Sequence, residues 1–247
     1  MESNFSLTLE MPMGAQEILK QLESLGAESY RNVLRKHGVQ DPVFGVKIEE
    51  MKKILKAHKG DTALACELYA TGNYDAQYMA GLMANGKEMN KAQLQLWLET
   101  ANCNAIRRYS VAWLVVESRF AVELINEWGS STEEDVAATA WATLVTYVSV
   151  TPDAELDLDW LKCLLDFVQT SIHQQANEVR SGMNSFVIAL GSFVAPLSEA
   201  AIQAGEAIGS VSVDVGDTAC KIPFAPDYIR KVAARGAIGK KRKEIKC

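Results

Sequence analysis

The sequence predicts an all-α protein, a HEAT- or armadillo-like helical-repeat solenoid with a basic C-terminal tail. Apolar residues recur at helical spacing through almost the whole chain, and segments 74–84, 105–118, 135–147 and 174–190 each place Ala and medium apolar residues on one face. Each follows another periodic stretch (upstream of 71, then 94–100, 121–128 and 156–169) across a short polar break. Helix pairs repeated every roughly 30 to 45 residues, with small residues where neighbours approach, are the pattern of stacked helical hairpins. A solenoid carries its function on an exposed face, so the residues along one face matter more than any compact motif.

The elements follow in order. Ile18, Leu19, Leu22 and Leu25 make 14–25 a helix, and Gly26 stops it. Residues 28–36 form the next, with Tyr30, Val33 and Leu34 inward. Gly38, Asp41-Pro42 and Gly45 mark 38–45 as a loop. Val46, Met51, Ile54 and Leu55 make 46–58 helical, and Asp61 or Thr62 can cap the helix that follows. Ser131-Thr132-Glu133-Glu134 fits a capping box, and Thr151-Pro152 fits a cap followed by Pro at the first helical position. After Gly209, Val211, Val213 and Val215 alternate with Ser212, Asp214 and Gly216, which suits a short strand or an extended connection. Pro223 and Pro226 delay the last helix to about 227–234. The chain thus divides into an extension (1–13), a repeat domain (14–210) and an extended segment with a basic tail (211–247).

With 247 residues, 48% of them apolar, the chain can bury the core of one solenoid, and six Pro and sixteen Gly are too few for disorder. No targeting signal opens the chain, and the longest apolar stretch, 186–197, is broken by Gly191 and Ser192, short of the ~20 residues that span a bilayer. No membrane association is expected. Five scattered Cys with no C-x-x-C pair argue against disulfides or zinc and for a cytoplasmic protein, with no metal and no cofactor. The net charge of −6 is segregated: the last 27 residues carry nine Lys/Arg against two acids, the rest 16 against 29. Such a tail suits an anionic partner or folds back on the acidic body.

No phosphate loop, H-E-x-x-H, G-x-S-x-G or dinucleotide fingerprint occurs. His37, His58 and His173 are far apart and flanked by polar residues, which reads as solvated surface. Four of the five Trp (Trp97, Trp113, Trp128, Trp141 and Trp160) lie within apolar periodic stretches, which favours core packing over base stacking.

Three stretches carry a resemblance: Tyr30-Arg-x-x-x-Arg35-Lys-x-Gly38, Phe44-Gly45-Val46-x-x-x-x-Met51 and Gly72-Asn73-Tyr74-Asp75-Ala76-x-x-Met79-Ala80. With them the chain resembles the DNA alkylation repair family of HEAT-like repeat proteins, which includes the AlkD-type glycosylases. It resembles most a branch ending like Gly216-Asp217-Thr218-Ala219-Cys220-Lys221-x-Pro223 and Arg235-Gly236-x-Ile238-Gly239-Lys-Lys-Arg-Lys243. The resemblance covers nearly the whole chain. It implies a C-shaped stack of repeats whose concave face holds duplex DNA, and, in glycosylase members, excision of cationic alkylated purines without base flipping.

That chemistry needs a carboxylate beside the sugar. The family's Trp-x-x-x-Asp element falls near Asn104 and Arg108, its Arg near Ala138 and its second aromatic near Asn184. No Asp occurs from Ala76 through Glu134, so no shift of register restores one. Replacing a carboxylate by Arg turns attraction for a cationic sugar into repulsion, on the order of 1–4 kcal/mol per close pair, and glycosylase activity by the family mechanism is not expected.

Arg107 and Arg108 fall on the polar side of their helix, away from an Ile106/Tyr109/Ala112/Trp113/Val116 stripe, and Asn177, Arg180 and Asn184 share another polar stripe. Arg107, Arg108 and Arg180, with Lys240, Lys241, Arg242 and Lys243 of the tail, are the candidate nucleic-acid contacts; ordinary solvated faces are the alternative. Three functions stay open: a protein that binds double-stranded DNA without excision, a glycosylase using another acid such as Glu99 or Glu117, and a scaffold for a protein partner.

Overall fold

The computed structural model describes residues 13–216 and 218–246. The extension before Met13, Asp217 of the C-terminal motif and Cys247 lie outside the described residues. Among those residues the structure is helical with no strand. Its α-helices are α1 (Met13–Leu25), α2 (Glu28–Lys36), α3 (Ile48–Leu55), α4 (Thr62–Tyr69), α5 (Tyr74–Met83), α6 (Lys91–Glu99), α7 (Asn104–Ile106), α8 (Ala112–Glu117), α9 (Ala121–Gly129), α10 (Glu134–Val150), α11 (Leu158–Ser171), α12 (Asn177–Phe193), α13 (Ser198–Ile208) and α14 (Ala225–Ala234). A π-helical turn, Arg107–Val111, joins α7 to α8.

A central row runs α5, the π turn with α8, α10 and α12, each packed on the next, and α14 closes it against α12 and α13. The row stays tight because small residues lie at its crossings. A Cβ on Gly81 of α5 would stand 2.4 Å from the Ser110 hydroxyl, and one on Gly182 of α12 would stand 2.7 Å from Cβ of Trp141 in α10. Two apolar clusters fill the interior. One runs from Ile18 through Met79 to Trp113 and Trp128, the other from Ile125 and Trp141 through Phe186 to Ile229, and they abut along α9 and α10. Trp97, Trp113, Trp128 and Trp141 are all buried, as their periodic settings imply; Trp160 is half-buried and donates from Nε1 to Asn126.

The N-terminal motifs form one bracket. Asp75 in α5 is fully buried, and its carboxylate accepts the amides of Phe44 (2.6 Å), Gly45 (3.1 Å) and Val46 (2.8 Å). Burial pushes this carboxyl up from its ordinary value, and the three amides pull it back. Gly45 has φ +79°, and a Cβ there would meet Ala27 O and Arg31 N at 2.7 Å, so the loop can lie against α2 only with glycine at this position. Arg31 donates to Phe44 O, Tyr74 N to Pro42 O, and Asn73 caps α5 by accepting Ala76 N.

Several boundaries differ from the sequence-based expectation. Residues 46–58 are helical only over Ile48–Leu55. The 131–134 capping box does not form, since α10 starts at Glu134 and the Ser131 hydroxyl accepts from Glu133 N in a local turn. Thr151 ends α10 as its C-cap and starts no helix: Pro152 leads a 3-10 turn, and Asp157 caps α11 by accepting Trp160 N. Pro226 lies in the first turn of α14, where its missing N–H costs no bond, so that helix starts at Ala225. Residues 211–216 are an extended connection.

The basic tail folds back across the C-terminal ends of the central row. Gly239 N donates to Ser192 O (2.9 Å) and Arg242 N to Ser149 O (2.8 Å). Lys241 Nζ donates to Val148 O (2.9 Å) and pairs with Asp153 (2.8 Å); Lys246 Nζ donates to Ala84 O and pairs with Glu117 (3.0 Å). Ammonium groups thus sit on the last carbonyls of α10 and α5, where the helix dipole favours them. Burial pushes the Lys246 ammonium down from its usual range while Glu117 holds it up. Ile245 packs on the first apolar cluster. Lys240, Arg242 and Lys243 remain exposed.

Removing the Asp75 carboxylate leaves three buried or half-buried amides without an acceptor, at about 1–3 kcal/mol each. Urea unfolding of Asp75→Ala is therefore expected to show a loss of several kcal/mol, and Asp75→Asn a loss of about 1–3 kcal/mol. A midpoint for the Ala variant equal to that of the unaltered protein would contradict the bracket's role.

Candidate functional site

The N-terminal ends of the central row gather Asn104, Arg107, Arg108 and Arg180, while the predicted tail contacts Lys240, Lys241, Arg242 and Lys243 lie at its C-terminal ends. Arg107, with a side chain 16% exposed, pairs with Asp135 at 3.1 Å, donates to Asn104 Oδ1 at 3.0 Å and reaches Leu98 O at 3.4 Å. Arg108, 37% exposed, lies 3.6 Å from Glu178 at the start of α12. Glu134 in turn caps that start by accepting Glu178 N at 2.7 Å. Arg180 is half-buried, and its Nε has no hydrogen-bond partner among the described residues. Beside Arg107 a polar cleft of about 350 Å³ is lined by His37, Gln40, Asn102, Asn104 and Asp135 among others. Each arginine of the π turn is therefore already matched by a carboxylate of a later repeat, Arg107 by Asp135 of α10 and Arg108 by Glu178 of α12.

The π turn changes which side chains this edge presents. Ala112 N–H reaches back five residues to Arg107 O, inserting one extra position into the turn. Tyr109, expected on the inward stripe with Ile106 and Trp113, is 48% exposed, while those two stay buried. The regular α-helical register on which that expectation rests does not hold across the extra residue. Ser110 is instead the fully buried residue, against Gly81.

The polar stripe of α12 divides by role. Asn177 clamps the backbone of Asp214, donating to its carbonyl (2.9 Å) and accepting its amide (2.7 Å), and buried Asn184 donates to Pro223 O (3.1 Å). Both asparagines anchor the connector between α13 and α14. Arg180, between them, has no hydrogen bond to it among the described residues. The connector then reaches the other end of the chain: Thr218, Ala219 and Cys220 line a cleft of about 440 Å³ with Val33, Lys36 and His37 of the α2 end.

A family model described as DNA alkylation repair enzyme matches residues 18–228. The chain belongs to that family. Among its relatives are an uncharacterized protein of Listeria innocua and another of Listeria monocytogenes, each 27% identical over 220 residues covering 87% of this chain and 95% of the relative. A solved structure similar to this one, at 31% identity and TM-score 0.88, covers 94% of this chain and 99% of its own. It is described as representing a new family of proteins related to the HEAT-like repeat DNA glycosylases with affinity for branched DNA structures.

At the positions where the alkylation repair resemblance places catalytic groups, this member has other business. Asn104 accepts from Arg107, Arg108 pairs with Glu178, Ala138 is buried in α10, and Asn184 holds the connector. Glu117, one alternative acid, bonds Gly86 N (2.9 Å) and Lys246. It lies nine residues along the helix from Arg108, roughly 13 Å by helical rise. Glu99, the other, is exposed on α6 and accepts from Gln95. Neither pairs with Arg107 or Arg108 among the described residues; the acids that do are Asp135 and Glu178, and their pairing spans repeats, which a local reading of the sequence does not see. Among the described residues no three His, Cys, Asp or Glu side chains converge to hold a metal ion.

Proposed function

We propose that this protein binds DNA, branched forms in preference to linear duplex, through the face of the central row that carries Arg107, Arg108 and Arg180, and that it does not excise alkylated bases. The observation that carries the reading is Arg108: a guanidinium stands where the resemblance places the glycosylase carboxylate, and the acids within reach are already paired with arginines. A cation at that point suits a phosphate and opposes the positive charge that builds on a sugar as its base leaves. Family membership and the affinity for branched DNA of the similar solved protein support the DNA partner. Lys240, Arg242 and Lys243 are exposed at the opposite, C-terminal ends of the row, where Lys241 serves as an anchor, so the docked tail is not the DNA-receiving edge.

Asp135 and Glu178 hold the places that phosphates take on binding. Their carboxylates therefore moderate affinity, and DNA must displace them to reach the arginines.

Two outcomes test this. Incubated with DNA carrying methylated purines, the protein is expected to release no more free base than buffer alone, and excision well above that background would refute the non-enzymatic reading. The double variant Asp135→Asn, Glu178→Gln is expected to bind DNA more tightly at low salt. Its log–log salt slope should be steeper by up to about 1.8, since each added phosphate contact contributes ~0.9. Unchanged or weaker binding would show that these arginines do not face the DNA.

A further inference from the structure

Resting on that reading, we propose that Tyr109 is a stacking platform for an unpaired nucleobase at a DNA branch point, and so the residue that sets the preference for branched over linear DNA. Four aromatic rings run in contact from the core to the surface. Tyr74 lies 6.3 Å from Tyr78, Tyr78 meets Trp113 edge-on at 5.6 Å, and Trp113 tilts against Tyr109 at 5.7 Å. The first three are at most 9% exposed and Tyr109 is 48% exposed. The outermost ring is thus backed by aromatic carbon and half-exposed to solvent.

Its presentation is fixed by the π turn. Ser110 and Val111, the next residues, are fully buried; Ser110 lies so close to α5 that no Cβ fits at Gly81, and its hydroxyl has no hydrogen-bond partner among the described residues. Tyr109 cannot turn inward without breaking that crossing, and π turns recur at functional sites for such reasons. Arg107 and Arg108 precede it on the same turn, placing guanidinium groups for the phosphates that flank a stacked base. Asn104 and Asn184 occupy the two positions where the resemblance implies aromatic rings, so Tyr109 is the ring this edge offers instead.

An open ring face selects against intact duplex. In B-form DNA both faces of every internal base are covered by neighbours, and only sugar and phosphate reach a protein ring lying along the backbone. A base at a junction, flap or gap has a bare face. Stacking such a base on an aromatic side chain is worth, by alanine substitution, roughly a 5- to 150-fold change in affinity.

The test compares the unaltered protein, Tyr109→Ala and Tyr109→Phe on a three-way junction with 2-aminopurine unpaired at the branch and on a linear duplex of equal length. Thermal unfolding establishes that the exposed substitution leaves the fold intact. Tyr109→Ala is expected to lose at least 5-fold on the junction and less than 2-fold on the duplex, and to lose the fluorescence quenching seen with the unaltered protein. Tyr109→Phe, which keeps the ring, retains both preference and quenching. Full junction preference and quenching in the Ala variant, or equal losses on both DNAs, would overturn the assignment while leaving DNA binding standing. No binding of either DNA by the unaltered protein would overturn the underlying reading and this one with it.

Discussion

A side chain at Gly81 or Gly182 would have to occupy space already filled by Ser110 or Trp141, so neighbouring helices of the central row approach closer than any other residue would allow. The face of that row inherits its geometry from these crossings. At the first, the pressure of α5 on Ser110 accompanies the π turn that brings Tyr109 out and aligns Arg107 and Arg108 on its leading edge. At the second, the closeness of α10 and α12 sets Glu134 on the amide of Glu178 and Glu178 beside Arg108. Widening either crossing by a methyl group would move charged groups whose interactions depend on tenths of an ångström.

Charge is arranged at both ends of the row, with different consequences. At the helix C-termini the tail's Lys241 and Lys246 bond carbonyls and carboxylates and are largely covered, so the net positive charge of the tail is partly spent on holding the solenoid together. At the N-termini each pair has one member more open to water, Asp135 at 49% beside Arg107 and Arg108 at 37% beside Glu178. A pair open to water through one member is weaker than a fully buried one, and the Arg108 pair has the longer contact, 3.6 Å against 3.1 Å. On the proposed reading, a protein acidic overall bares Arg107 and Arg108 only when an anion displaces their carboxylates. The connector between α13 and α14, hydrogen-bonded to α12 through Asn177, reaches the end of α2 and borders the same edge.

The fold class was legible because helical periodicity and small residues at crossings are local features of sequence: α2 spans the residues expected of it, Asp61 caps α4, and the Trp residues with periodic settings are buried. The resemblance motifs were legible as a family mark, and the structure supplies their physical reason in the Asp75 bracket. What stayed hidden is non-local. The π turn answers to Gly81, 29 residues earlier than Ser110. Asn177 and Asn184, two turns apart on a polar stripe, looked like ligand contacts because their partners are main-chain atoms of a connector with no pattern of its own. The tail's charge excess was plain in the composition, but its landing on carbonyls of α5 and α10 depends on where the stack ends those helices. Tyr109 was assigned inward by the same rule that placed its neighbours correctly, and one inserted residue reversed it.

The central claim is that DNA is received on the arginine edge of the central row and not on the docked tail. Amide hydrogen exchange with and without a saturating DNA junction tests it most directly, because it reads every segment in one measurement. The account predicts slowed exchange centred on 104–111 and 177–184, with the tail over 239–246 changing little. Protection confined to 239–246, with the arginine edge exchanging as in the free protein, would contradict it.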